Sequence, residues 1–200
     1  MPLSLKVVFI GDSKVGKTAV MRRLLGEFFD PVFIMTTSGE AIKRKQLVVN
    51  NYNVELELWD APGHEGFRTD AAVYMKNVKV VVLFFDVTNH TSFENIDNWL
   101  NFLPPAESPA QKTPTFIIGN KTDKASRTVT KEEAEHKARM RNSYYFETSA
   151  KDSNTEDFNQ IFKQMIEIVL DNSPGLTNSG TVPANQVLGD DRWYKPCVLL

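Results

Sequence analysis

Cysteine is almost missing from this sequence: Cys197 is the single one in 200 residues. That excludes an internal disulfide framework, and with it the small stapled scaffolds of secreted proteins. Long apolar runs are missing too. The longest, Val78 to Phe85, is interrupted by Lys79 and falls well short of the ~20 residues of a membrane helix, so it suits a buried strand better. There is no excess of one charge. The net charge of −2 points to neither nucleic acid nor a strongly acidic partner. No repeat recurs at solenoid spacing. Met1 to Leu5 runs directly into a strand pattern, so no signal peptide is expected. Together these features predict a cytosolic protein. What is present, 42% hydrophobic and 24% charged residues, is the composition of an ordinary globular domain, and the length fits one domain plus a tail.

Residues 1–170 alternate short apolar runs with amphipathic stretches, whereas 171–196 has no period and is rich in Asn, Ser, Gly and Pro. The second regime reads as a flexible linker, and a chain of that kind and length has an r.m.s. span of roughly 25–30 Å. Within the domain, Lys6–Ile10, Val80–Phe85 and Thr115–Ile118 are continuous apolar runs suited to parallel strands covered on both faces. Val54–Trp59 alternates and predicts a half-buried strand. Phe93, Ile96, Leu100 and Leu103 form one helical stripe; Phe158, Ile161, Phe162, Met165, Ile166 and Val169 form another. Alternating strands and helices predict an α/β layered fold, with ligands at the carboxyl ends of the strands.

Gly11-Asp12-Ser13-Lys14-Val15-Gly16-Lys17-Thr18 follows the first strand and opens a helix carrying Val20, Leu24 and Leu25 on one face. Its spacing is that of a phosphate-binding loop (P-loop). The glycines let the backbone bend around phosphate oxygens, and amide groups from Ser13 through Ala19 supply positive partial charge. Lys17 is expected to reach the β/γ-phosphates and Thr18 to ligate Mg²⁺. Ser13 and Lys14 occupy the variable part of the loop, where Lys14 is expected to face solvent. The loop alone does not choose between ATP and GTP, nor between a kinase and a switch.

Further segments narrow the choice. Asp60-Ala61-Pro62-Gly63 ends a strand; its carboxylate can hold Mg²⁺ through water, and the Gly63 amide can approach a γ-phosphate. Asn120-Lys121-Thr122-Asp123 ends another. Asp123 can accept hydrogen bonds from N1 and N2 of guanine, a paired contact adenine cannot offer, and Lys121 can lie along the ring. Ser149-Ala150-Lys151 follows a further strand, with the Ala150 amide available to the guanine carbonyl. Asn120 to Asp123 opposes a small-metabolite kinase.

The chain resembles the Ras superfamily, and most closely its Rab branch, over residues 5–170. Trp59-Asp60-Ala61-Pro62-Gly63-His64-Glu65-Gly66-Phe67 is similar to the Rab pattern Trp-Asp-Thr-Ala-Gly-Gln-Glu-Arg-Phe, Asp86 to Ile96 with Trp99-Leu100 is Rab-like, and Glu147-Thr148-Ser149-Ala150-Lys151 matches outright. The resemblance implies a P-loop NTPase small G domain with a mostly parallel six-stranded sheet and about five helices, binding GTP or GDP with Mg²⁺. It implies GTP hydrolysis and a role in vesicle traffic. It also implies exchange factor, activating protein and effectors acting through switch segments near 32–40 and 60–75. A monomer without nucleic-acid partners is expected. Phe29 sits where the family places an aromatic on the guanine face. Thr36, eighteen residues after Thr18, is at the family spacing for the switch threonine that binds Mg²⁺ and γ-phosphate, with Thr37 the alternative.

The family orients the attacking water with glutamine, and this chain has His64. Glutamine offers both a donor and an acceptor; a charged imidazole only donates. The substitution favours slow intrinsic hydrolysis, and in the limit a recruitment module with negligible turnover. Against it, Asp-x-Pro-Gly-His also resembles translational GTPases, in which histidine positions the water. Translation itself is disfavoured, because it needs further domains and has no use for the terminal motif. Catalytic expectations therefore rest on His64, Lys17, Thr36 and Gly63; Gly66, in place of the Rab arginine, is expected to loosen the second switch. Cys197-Val198-Leu199-Leu200 has the prenylation form, with geranylgeranyl favoured by the final leucine. Arg192 and Lys195 are offset by Asp190 and Asp191, so a single lipid gives reversible attachment. The expectation is exchange between cytosol and the cytosolic face of an endomembrane, with a prenyl-binding carrier.

Overall fold

Val80–Asp86 and Thr115–Asn120 are buried at every position, as strands in the middle of a two-faced sheet must be. The computed structural model describes residues 2–31, 42–63, 66–103 and 113–172, without the side chains of 66–70. Its strands are β1 (Leu3–Gly11), β2 (Ile42–Val49), β3 (Tyr52–Asp60), β4 (Val80–Asp86), β5 (Thr115–Asn120) and β6 (Tyr144–Glu147). They form one six-stranded sheet in the order β2-β3-β1-β4-β5-β6. All neighbours pair in parallel except β2 with β3, which are antiparallel. The helices are α1 (Lys17–Leu24), α2 (Gly66–Met75), α3 (His90–Glu94), α4 (Ile96–Leu100), α5 (Lys131–Met140) and α6 (Thr155–Asn172). Only Asn95 separates α3 from α4, so the pair is one broken helix and the helices among the described residues number the expected five.

The sheet divides the core into two clusters. Leu5, Val7 and Phe9 of β1 face α1 and α6, where Phe9 lies 4.9 Å from Phe84 and 5.8 Å from Phe162 between ring centroids. The alternate residues Val8 and Ile10 face the cluster that includes Tyr74, Phe93, Ile96, Trp99, Ala134 and Ala138. Every residue of the predicted α6 stripe is buried, and the helix continues to Asn172, two residues past the boundary expected at 170. The other stripe was only partly legible. The helix ends at Leu100, Leu103 lies beyond it, and Trp99 enters the core.

β2 was not anticipated from its composition. As an edge strand it buries only Leu47 and Val49, leaving Lys43 and Arg44 exposed. Its hairpin to β3 turns on Asn50 and Asn51 at φ 48° and 66°, the pair of positive values a two-residue type I′ loop needs. α2 is fastened beside β1: Lys6 Nζ donates to the carbonyls of Val73 at 3.0 Å and Lys76 at 2.9 Å, and lies 3.8 Å over the Trp59 ring. Parallel pairing brings the ends of β1, β3, β4, β5 and β6 to one edge, where the site lies.

Candidate functional site

The P-loop begins where β1 stops. Gly11 has φ 134°, and a Cβ there would lie 2.3 Å from the Phe84 carbonyl oxygen of β4. Gly16, at φ 101°, precedes α1, and a Cβ there would lie 2.2 Å from Asn120 Nδ2. Both positions need glycine, for the left-handed backbone and for the close approach. No side chain caps the start of α1, which leaves its first amide groups for an anion. Lys17 is buried, with Nζ donating to the carbonyls of Gly11 at 2.7 Å and Asp12 at 2.8 Å. Burial pushes its amine down to about 8, while Asp60 and Asp12 work in the opposite direction. Val15 is buried beneath the loop, Ser13 and Lys14 are exposed, and Lys14 adopts φ 67°.

Thr18 donates its hydroxyl to Asp60 Oδ2, joining the start of α1 to the end of β3. Asp60 is buried, and the Ala61 amide donates to the Phe9 carbonyl at 3.0 Å. The turn then packs onto the P-loop: a Cβ on Gly63 would lie 2.5 Å from the Ser13 nitrogen and 2.7 Å from the Asp12 oxygen. A hydroxyl facing a carboxylate beside a phosphate cradle is a hard oxygen donor set, and it fits Mg²⁺. Among the described residues no group of three His, Cys, Asp or Glu gathers. The donors suit an ion that also takes phosphate oxygens and water, rather than an all-protein cage.

On the base side, Asn120 is buried and bridges two loops. Its Nδ2 donates to the Val15 carbonyl at 2.8 Å and its Oδ1 accepts from the Ala150 amide at 3.1 Å. Asp123 Oδ1 accepts from the Ser149 hydroxyl at 2.7 Å, and that hydroxyl accepts from the Asp152 amide at 3.0 Å. Lys121 stands at φ 70° with Nζ 2.6 Å from Asp86 Oδ2. Burial opposes the Asp86 charge, but hydrogen bonds from Lys121 and Thr88 outweigh it and hold the carboxyl below its usual range. Lys151 is exposed. Phe29 is 37% exposed, outside both core clusters.

The structure therefore gathers Ser13 to Ala19, Asp60, Gly63, Asn120, Lys121, Asp123 and Ser149 to Lys151 at one edge. Thr36, His64 and Cys197 lie outside the described residues. Several supporting groups were not singled out as site residues. Asp86 holds Lys121. Arg23 donates to the carbonyls of Glu27 at 2.8 Å and Ser153 at 2.6 Å, joining the segment before Phe29 to the loop after Lys151. Glu147 accepts from Tyr145 at 2.7 Å and from Arg127. Asp86 and Glu147 stand at strand ends with one local partner each, Thr88 and Tyr145, but Lys121 and Arg127 reach them from other segments.

The sequence model of the Ras family matches residues 6–171. Ras-related protein SEC4 of Saccharomyces cerevisiae is 34% identical over 165 residues, covering 82% of this chain and 74% of the relative. Ras-related protein Rab-13 of Canis lupus familiaris is 33% identical over 193 residues, covering 96% and 90%. Rab-13 of Rattus norvegicus is 36% identical over 149 residues, covering 74% and 72%. Domain-wide likeness and the ordered site agree: the chain belongs to the Ras family of small GTPases and is of the Rab type.

Proposed function

We propose that this chain is a GTP/GDP switch that regulates vesicle traffic, with slow intrinsic hydrolysis, on the cytosolic face of an endomembrane. The observation that carries the reading is the Asn120 bridge. One buried side chain ties the P-loop to Ser149–Lys151, so phosphate and base sites are built as one unit. Asp123 recognises guanine, the Ala150 amide shares its hydrogen between Asn120 Oδ1 and the guanine carbonyl, Lys121 and Phe29 flank the ring, and Lys17 turns from loop carbonyls to the β/γ-phosphates. Thr18, Asp60 and Thr36 hold Mg²⁺, which when bound neutralises phosphate charge. Gly63 offers its amide to the γ-phosphate, and His64 orients the attacking water. Loss of the γ-phosphate releases the segments near 32–40 and 60–75. An exchange factor, an activating protein and effectors act on those segments. Prenylated Cys197 gives reversible membrane attachment, with a prenyl-binding carrier in the cytosol.

Chromatography of the co-purifying nucleotide, followed by single-turnover GTP hydrolysis of the native chain and His64→Gln, tests this reading. Guanine nucleotide in the purified protein and faster turnover in His64→Gln are expected. Adenine nucleotide would overturn the base assignment, and equal or faster native turnover would overturn slow hydrolysis.

A further inference from the structure

An acidic side chain inside an anion-binding loop is unfavourable unless its charge is directed elsewhere. Asp12 meets that requirement. Its carboxylate turns to the broken helix, where Asn95 Nδ2 donates to Oδ2 at 2.8 Å and Trp99 Nε1 donates to Oδ1 at 2.7 Å. Both donors belong to the Rab-like stretch that precedes and forms α3–α4. Asn95 sits at the break between the two helices, with φ −67° and ψ −8°, and Trp99 is buried on α4. The main chain of Asp12 is engaged at the same time, its carbonyl accepting from Lys17 Nζ at 2.8 Å.

The P-loop is thus gripped at two places by different elements. Asn120 of β5 holds the Val15 carbonyl, and α3–α4 holds the Asp12 carboxylate. Between them, Ser13 and Lys14 are exposed. We infer that Asp12 is the positioning residue of the P-loop: Asn95 and Trp99 clamp its carboxylate, fix the first half of the cradle against α3–α4, and so lengthen the residence of bound guanine nucleotide. Charge-assisted hydrogen bonds to a partly buried carboxylate are among the stronger polar contacts, and both acceptor oxygens are used. The inference rests on the guanine-nucleotide reading of the loop.

Exchanging the two side chains tests it. Asp12→Asn removes the charge and leaves a neutral amide–amide hydrogen bond to Asn95 in place of a charge-assisted one; Asn95→Asp sets two carboxylates against each other. The exchanged pair, Asp12→Asn with Asn95→Asp, can restore an N–H···O bond between these positions while the residue-12 oxygen still accepts from Trp99. Dissociation of a fluorescent GDP analogue from the full chain is the measurement. Each single variant is expected to release it about tenfold faster, the difference between a charge-assisted hydrogen bond and a neutral or lost one, and the exchanged pair within about threefold of native. A structural defect without the clamp would leave the pair at least as fast as the worse single variant, which overturns the proposal. Native rates in both single variants overturn it as well. A native chain that binds no guanine nucleotide sinks the underlying reading first and the clamp with it.

Discussion

Asn120 Nδ2 donates to the Val15 carbonyl at 2.8 Å, across 105 positions of sequence. The bond is buried, and the same side chain accepts the Ala150 amide. Asn120→Ala strands a carbonyl and an amide, at a cost of about 2–4 kcal/mol in the coupled site. GDP affinity is expected to fall by about 30- to 700-fold, read by titration calorimetry. Affinity within about threefold of native would show that the bridge is not part of the binding unit.

Lys14 holds φ 67° in a loop whose other left-handed positions, Gly11 and Gly16, are glycine. A Cβ in that region costs about 1 kcal/mol, partly offset by the greater unfolded entropy of glycine. Lys14→Gly is therefore expected to raise the melting temperature of the GDP-bound protein by about 2 °C. A lower melting temperature would mean that the lysine contributes more through its side chain than its backbone costs.

Glu147 gives the site an acid limit. Burial works against its charge, but hydrogen bonds from Arg127 and Tyr145, with the Arg127 charge, outweigh it and hold the carboxyl below 4.5. A depressed folded value means that its stabilising contribution is complete above the unfolded value and is lost as pH falls through the folded one. Arg127→Ala removes the main opposing partner and, with solvent screening the exposed pair, should cost about 0.5–1 kcal/mol at neutral pH. Acidification should then take less stability from the variant than from the native chain, so the gap between the two narrows as pH falls below the ordinary glutamate value. Urea unfolding measured from pH 7 to 3 checks both; superimposable native and variant pH profiles would remove Glu147 from the account.

What could be read from sequence follows the range of the interactions. β4, β5 and α6 were legible because burial writes an unbroken run or a 3.6-residue stripe into neighbouring positions. The P-loop was legible because glycine and lysine spacing is local. β2 was not, since an edge strand with Lys43 and Arg44 in solvent carries little apolar signal. The break at Asn95 was also hidden. It coincides with a side chain committed to Asp12, 83 positions away, and apolar counting passes over such a contact. The Lys121 contact with Asp86 is of the same kind: both residues stood in recognised segments, but parallel pairing of β4 with β5 was needed to bring them together.

Gly63 packs where no side chain fits. A methyl group there would meet the Ser13 nitrogen at 2.5 Å and the Asp12 carbonyl carbon at 2.6 Å, backbone atoms that cannot swing away. Gly63→Ala must therefore push the turn after β3 off the P-loop, while Lys17 and the Asn120 bridge stay in place. GDP depends on those retained contacts and should bind within about threefold of native. On the proposed function, a nonhydrolysable GTP analogue also uses the Gly63 amide at its γ-phosphate and should lose about tenfold or more, the size of a lost hydrogen bond to a charged oxygen. Competition against a fluorescent GDP analogue separates the two. An equal loss for both nucleotides would place the damage in the cradle itself, and no loss for either would show that the turn does not touch the γ-phosphate.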